Sequence, residues 1–403
     1  MKDKKTIYLV TVITASLMIG IFVAIHLIQI NMDKSREFIT VGFVYDGDES
    51  TPYTANFIKA QKAAELKLGT RIHVIVKSNT HSAEGGEQAI KELVDEGCDL
   101  IFTTSIGYAE AAKKLAGTYP NVQFCEATAP DANTDPKYDN YHTFMGEIYQ
   151  GRYISGVIAG MKLKEMLNQG IISADEAKVG YVAAYAQPEV ISGYTAFFLG
   201  VRSEVPEAKM EVKYTNTWSD YTIEKKCADE LIDRGCVIIS QHSDTTGPAV
   251  ACEERYAEKK VYHVGYNKSM IDVAPTTSLL SCRINWEPYI RAACEAVLED
   301  KDIEQYVDGN VHGNDIGAGF DLEWVEMLEL NNLIAAEGSA EKIEELTEDF
   351  EKGRIEVFKG DYIGVDPTDP SDTIDLKNGY KENAENSAPT FHYVLKDVIT
   401  IVE

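Results

Sequence analysis

One order of elements occurs twice in this chain, and no other feature restricts its fold as much. In the first half, the apolar runs Val41 to Tyr45, Ile72 to Val76, Leu100 to Phe102 and Val122 to Cys125 read as strands. Helices over Tyr53 to Leu66, Glu87 to Glu96 and Tyr108 to Ala116 separate them. The second half repeats the order, with strands Val179 to Ala184, Met210 to Tyr214, Val237 to Ile239 and Val261 to Val264. Its helices are Val190 to Ser203, Ile223 to Arg234 and Ala249 to Glu258. Short, continuously apolar strands are the kind buried on both faces, as in a parallel sheet covered by helices. Alternation with helices predicts a doubly wound α/β sheet, and two copies predict two lobes. Ligands of such sheets bind in the crevice beyond the carboxyl ends of the strands. Leu100 to Phe102 runs into the polar tip Thr103 to Tyr108, and Val237 to Ser240 runs into Gln241 to Gly247. Two such tips face to face would make a clamp.

Between the halves, Tyr149, Tyr153, Val157 and Ile158 recur at helical spacing, while Gly151, Gly156 and Gly160 permit close approach of a neighbouring backbone. A chain that crosses between lobes near here, and again beyond Leu280, would form a multi-strand hinge. Further on, Leu328 to Lys352 is acidic with a helical pattern, Arg354 to Phe358 and Tyr362 to Val365 resemble short strands, and Asp366 to Pro389 reads as loop. His392 to Val402 reads as a return to the sheet. The expected division is residues 1–31 as a membrane anchor, 38–150 as lobe one and 151–285 as lobe two. Residues 286–403 supply the hinge return, lobe completion and an acidic extension.

The anchor rests on Ile7 to Ile30, which carries no charge apart from a neutral His26. At about 1.5 Å per helical residue such a run spans a hydrocarbon core of roughly 30 Å. Lys2, Lys4 and Lys5 precede it, which predicts a cytoplasmic N-terminus and an extracytoplasmic remainder. No small-x-small cleavage site ends the run and no cysteine follows it, so an uncleaved signal anchor is favoured over a removed signal or a lipid anchor. A net charge of -27 argues against a nucleic-acid partner, which needs clustered positive surface. The seven cysteines show neither a CxxC pair nor a zinc spacing and read mostly as buried hydrophobes, with a bridge from Cys227 to Cys236 or Cys252 left open.

Signatures of catalysis and of cofactors are missing: there is no G-x-S-x-G, Walker A, H-E-x-x-H or strand-borne G-x-G-x-x-G pattern. His242 and Asp244 could form half of a metal site, but fit better as hydrogen-bonding groups for a neutral polar ligand. Aromatics stand at matching strand ends: Tyr53, Tyr108, Trp218, Tyr266 and Trp286. Rings from opposed lobes can sandwich a flat ligand. Polar residues at the same tips could read its edges, namely Thr54, Asn56, Ser105, Glu126, Gln187, Glu189, His242, Asp244, Asn267 and Arg283. For any one of them alone, helix capping or solvation is the plainer role.

Several segments resemble a known family: Val41 to Gln61, Cys98 to Tyr108, the run YQGRYISGVIAGMK from Tyr149, VGYVAAYAQPEVISGYTAFFLG from Val179, ADELIDRGCVIISQHSD from Ala228, and Val264 to Trp286. They are similar to the basic membrane protein family of ABC-importer substrate-binding proteins, binders of purine nucleosides with a type I periplasmic-binding fold. The resemblance runs from about Phe38 to Val365. It implies ligand-facing roles for Tyr53, Trp218, Trp286, Thr54, Gln241, His242 and Asp244. It further places the acid at the end of lobe one's last strand on Glu126, an aspartate position on Asn267 and a lysine position near Arg283. Where the nucleoside branch carries D-x-S-F-N, this chain has Asp48, Glu49, Ser50, Thr51, Pro52 and Tyr53, so a nucleobase or another flat small molecule stands beside an intact nucleoside as the implied ligand. The expectation is an extracytoplasmic, membrane-tethered, non-enzymatic protein that closes on a purine-like small molecule and presents it to an ABC permease. A ligand-binding ectodomain of a receptor or sensor is the alternative.

Overall fold

The structure is a computed structural model that describes residues 13–14, 16–23, 35–81 and 85–403. Most of the expected anchor, Ile7 to Ile30, lies outside the described residues. Those described between 13 and 23 are helical, and Leu17, Met18, Ile19 and Phe22 are exposed. Among the described residues no helix is long and apolar enough to cross a membrane.

Lobe one opens with β1 (Ile39–Val44), α1 (Pro52–Leu68), β2 (Ile72–Lys77), α2 (Gly86–Asp95), β3 (Leu100–Thr103), α3 (Ala109–Thr118), β4 (Gln123–Ala127) and β5 (Tyr141–Gly146). The chain then crosses to lobe two: α4 (Tyr149–Asn168), β6 (Lys178–Ala183), α5 (Pro188–Glu204), β7 (Lys209–Tyr214), α6 (Tyr221–Asp233), β8 (Ile238–His242), α7 (Gly247–Lys259), β9 (Tyr262–Tyr266) and β10 (Ser278–Ile284). There follow α8 (Glu287–Leu298), α9 (Ile303–Tyr306), β11 (Asn310–His312), β12 (Asp315–Ala318), β13 (Val325–Met327) and α10 (Ser339–Glu351). The chain ends with β14 (Ile363–Val365), β15 (Thr373–Asp375), β16 (Val394–Leu395) and β17 (Ile399–Val402).

Two seven-stranded sheets result, ordered β11-β12-β5-β4-β3-β1-β2 and β13-β10-β9-β8-β6-β7-β17. β1 pairs in parallel with both β2 and β3, and β6 with both β7 and β8, so each sheet reverses its strand order at the first strand of its repeat. These switch points are where a doubly wound sheet opens a crevice. The expected two-lobed α/β architecture is present. β5 was not expected: its sequence YHTFMG lacks a continuous apolar run, and all six residues are buried because strands pair on both sides.

The glycines after Tyr149 do what their spacing implies. A Cβ on Gly156 would lie 1.8 Å from the Phe197 carbonyl oxygen, and one on Gly200 would lie 2.3 Å from the Tyr153 carbonyl oxygen. Helices α4 and α5 therefore pack backbone to backbone. Under them the buried Arg152 guanidinium donates to Tyr181 Oη (2.8 Å), Ser240 Oγ (2.7 Å) and the Gly265 carbonyl (3.2 Å).

Among the described residues three crossings join the lobes: β5 to α4, β10 to α8, and β12 to β13. They are bonded together, Glu147 N to the Ala318 carbonyl and Asn285 N to the Trp324 carbonyl, both 2.8 Å. Trp286 belongs to this hinge core. It is 1% exposed, with its ring stacked on Phe57 at 4.3 Å and edge-on to Phe144 at 5.5 Å. All seven cysteines are free and buried, so the bridge left open from Cys227 does not form.

Candidate functional site

A cavity of about 80 Å³ lies between the lobes at the carboxyl ends of both sheets. One water needs roughly 10–15 Å³ on this measure, so the space suits a small molecule held by a closed clamp. Lobe one contributes Asp46 and Gly47 after β1, Thr51, Tyr53 and Thr54 at the start of α1, Ser105 and Ile106 after β3, and Thr128 after β4. Lobe two contributes Glu189 at the start of α5, Trp218 and Ser219 after β7, His242 and Asp244 at and after the end of β8, and Tyr266 at the end of β9.

Three aromatics wall the space and are held in place. Tyr53 Oη donates to the Thr104 carbonyl at 2.8 Å. Trp218 meets Tyr185 edge-on at 5.2 Å, and its carbonyl accepts from Asp244 N at 2.9 Å. Tyr266 packs on the His242 ring at 4.6 Å.

The polar groups combine the carboxyls of Asp46, Glu189 and Asp244 with hydroxyls that both donate and accept. Burial, then Glu224 and Glu189, holds the Asp244 carboxyl well above its ordinary value; Asn267 Nδ2 donates to it at 3.3 Å. His242 is 2% exposed, neither ring nitrogen has a hydrogen-bond partner among the described residues, and Nε2 lies 3.5 Å from Glu189 Oε1. Burial lowers its pKa, against the pull of Glu189, and keeps the imidazole neutral. No lysine or arginine is among the described lining residues. The lining therefore suits a neutral ligand that both donates and accepts hydrogen bonds, and disfavours anions.

Of the expected ligand-facing residues, Tyr53, Thr54, Ser105, Glu189, Trp218, His242, Asp244 and Tyr266 come together here. The others do not line the cavity. Gln241 lies inside β8, where it donates to the Ser243 and Thr245 carbonyls and meets His263. Glu126 is fully buried in β4, takes a hydrogen bond from Thr103 Oγ1, and is kept neutral by burial. Tyr108 points into lobe one's own core with its hydroxyl on Thr80 (2.7 Å), and Asn267 acts through Asp244. Asn56 ties α1 to the Ile284 carbonyl at 2.6 Å, and Arg283 pairs with Glu326, both beside the hinge. Gln187 sits at the N-cap of α5, and Trp286 is hinge core.

Asp46, Gly47, Thr51, Ile106, Thr128 and Ser219 line the cavity without having been singled out. Asp46 carried a usable signal, because it is close behind an apolar strand at a switch point. The neighbouring Asp48 instead closes its own loop, accepting from Ser50 N at 2.9 Å. Thr128 adopts a left-handed φ of 72°, a backbone twist that residue type does not announce.

Residues 38–355 match the model of the family described as PnrA-like ABC transporter substrate-binding proteins. The chain belongs to that family. This Bmp-family chain is 32% identical over 266 residues to a purine-binding protein of Brucella abortus, covering 66% of this chain and 70% of that one. It is 30% identical over 213 residues to a putative ABC transporter glucose-binding protein of Haloferax volcanii, covering 53% of this chain and about half (49%) of the relative. Its fold is shared with an ABC transporter solute-binding protein of Aeropyrum pernix, at a TM-score of 0.61 and 17% identity over 79% of this chain and 92% of that one. The family is one of solute-binding proteins, which implies a small-molecule ligand and a permease partner.

Proposed function

We propose that this protein captures a purine, as the nucleobase or a small nucleoside, outside the cytoplasm and hands it to an ABC permease. The observation that carries the reading is the interlobe cavity itself: Tyr53, Trp218 and Tyr266 offer faces to a flat ring, Asp46 and Glu189 offer acceptors to its amino and ring N–H groups, and the Asp244 carboxyl, its pKa raised, offers a donor beside an acceptor. With no cationic side chain in the described lining, phosphorylated nucleotides fit poorly. The likeness to a purine-binding protein supports the same ligand class. The apolar run Ile7 to Ile30, helical and exposed where described, supports tethering to the membrane.

The test is thermal unfolding of the full chain in detergent against adenine, guanine, adenosine, inosine, AMP and glucose. A ligand at 100 times its dissociation constant adds about 2.7 kcal/mol of stability. A rise with a purine base or nucleoside and none with AMP is expected. A rise with glucose alone would replace the purine reading with a sugar. Retention of the full chain in membranes washed with alkaline carbonate, and its release when residues 1–31 are removed, checks the tether.

A further inference from the structure

We propose that the C-terminal extension, residues 356–403, is a brace that latches the two lobes together and restrains opening of the cleft. The family match ends at residue 355, so the extension lies outside what that match describes. The inference rests on the reading of the lobes as a hinged clamp and names how that clamp is regulated.

The extension is built onto lobe two. β17 adds a parallel edge strand beside β7, with Ile399 opposite Met210 and Val402 opposite Lys213. Arg202 Nε on α5 donates to the Tyr362 hydroxyl at 3.0 Å. Ser192 Oγ, also on α5, donates to Glu382 Oε2 at 2.6 Å, and the same carboxylate takes the Thr390 and Phe391 N–H groups at 2.6 and 3.2 Å.

Five residues beyond Glu382, the same segment grips lobe one. Ser387 N donates to Asp315 Oδ2 at 2.5 Å and Ser387 Oγ to Asp315 Oδ1 at 2.6 Å. Asp315 is in β12, and Thr143 of β5 donates to it at 2.6 Å, so the carboxylate is seated in lobe one's sheet. Asn383 Nδ2 bonds the Ser387 carbonyl at 2.5 Å and stiffens the link between the two grips.

Both carboxylates are almost fully buried, Asp315 at 1% and Glu382 at 4% exposed. Charge-assisted hydrogen bonds away from water are the strong ones, and a buried carboxylate that loses its donors is left costly. The three covalent crossings leave the lobes free to rotate about them. A fourth connection made of breakable bonds resists that rotation until they part. A brace of this kind lowers the open population, which slows ligand exchange and tightens apparent affinity.

The test reads lobe separation with no ligand present, so its failure is separable from failure of the purine assignment. Nitroxide labels on the full chain in detergent, at Glu49→Cys and Tyr221→Cys, flank the mouth from opposite lobes; the native cysteines are all buried. The distance distribution between them is measured by pulsed electron paramagnetic resonance. A single short distance is expected for the labelled parent, and an added longer population in Ser387→Glu, which sets a second carboxylate against Asp315. Ser387→Ala, which only removes one donor, should shift part of the population the same way, and decides the matter if Ser387→Glu does not fold. Parent and folded variant with the same distribution would overturn the brace.

Discussion

Trp218 and Trp286 both follow strands of lobe two, yet Trp218 lines the cavity and Trp286 is packed in the hinge. Trp218 is half-buried at the cavity, so Trp218→Ala should abolish most ligand binding in calorimetry while leaving the melting temperature close to that of the parent. Trp286 is locked between Phe57 and Phe144, so Trp286→Ala should cost about 3–5 kcal/mol of stability, read from denaturant unfolding. Nothing local separates the two; the hinge core decides. His263 gives a pH signature. Burial, and secondarily Arg152, pushes its pKa down to about 3 from an ordinary 6.5. A depressed folded value means the stabilisation is present above about pH 6.5 and is lost as pH falls toward 3. The unfolding free energy should therefore fall on acidification below pH 6.5, and fall less steeply in His263→Gln. The buried carboxyls Glu126, Glu224 and Asp244 are shifted upward by burial and act with the opposite sign, losing stabilisation as pH rises.

Elements were more legible than residues, because continuous apolar strands alternating with amphipathic helices leave few other folds. The pattern located β1 to β4 and β6 to β9 within a few residues. It ended the third strand of lobe two at Ile239 or Ser240, whereas β8 continues to His242. Polar Ser240 and Gln241 belong to a strand because Arg152, His263 and neighbouring carbonyls satisfy them, and those partners are remote in sequence. The glycine spacing of α4 was legible as close approach, and its partner α5 was not. Gly156→Ala forces a methyl against the Phe197 carbonyl and should destabilise by about 1–3 kcal/mol. A matched fall in melting temperature checks it; an unchanged one would mean the helices separate at no cost.

For the whole molecule, cohesion between the lobes comes from packing at the hinge and from buried polar ties, with every cysteine reduced and buried. Reductant should leave the melting temperature unchanged, and a drop would show a bridge. The sequence by itself determined the two-lobed α/β plan, which follows from hydrophobic periodicity, and the family, which several segments resemble. Only the tertiary structure decided which tips converge on one cavity, because the opposed loops of β1 and β8 are brought together by the hinge. It also seated Arg283 and Trp286 at that hinge, and carried the acidic extension across to Asp315. Those outcomes depend on partners distant along the chain, and a buried carboxylate is recognisable as a latch only once its donors from two lobes are beside it.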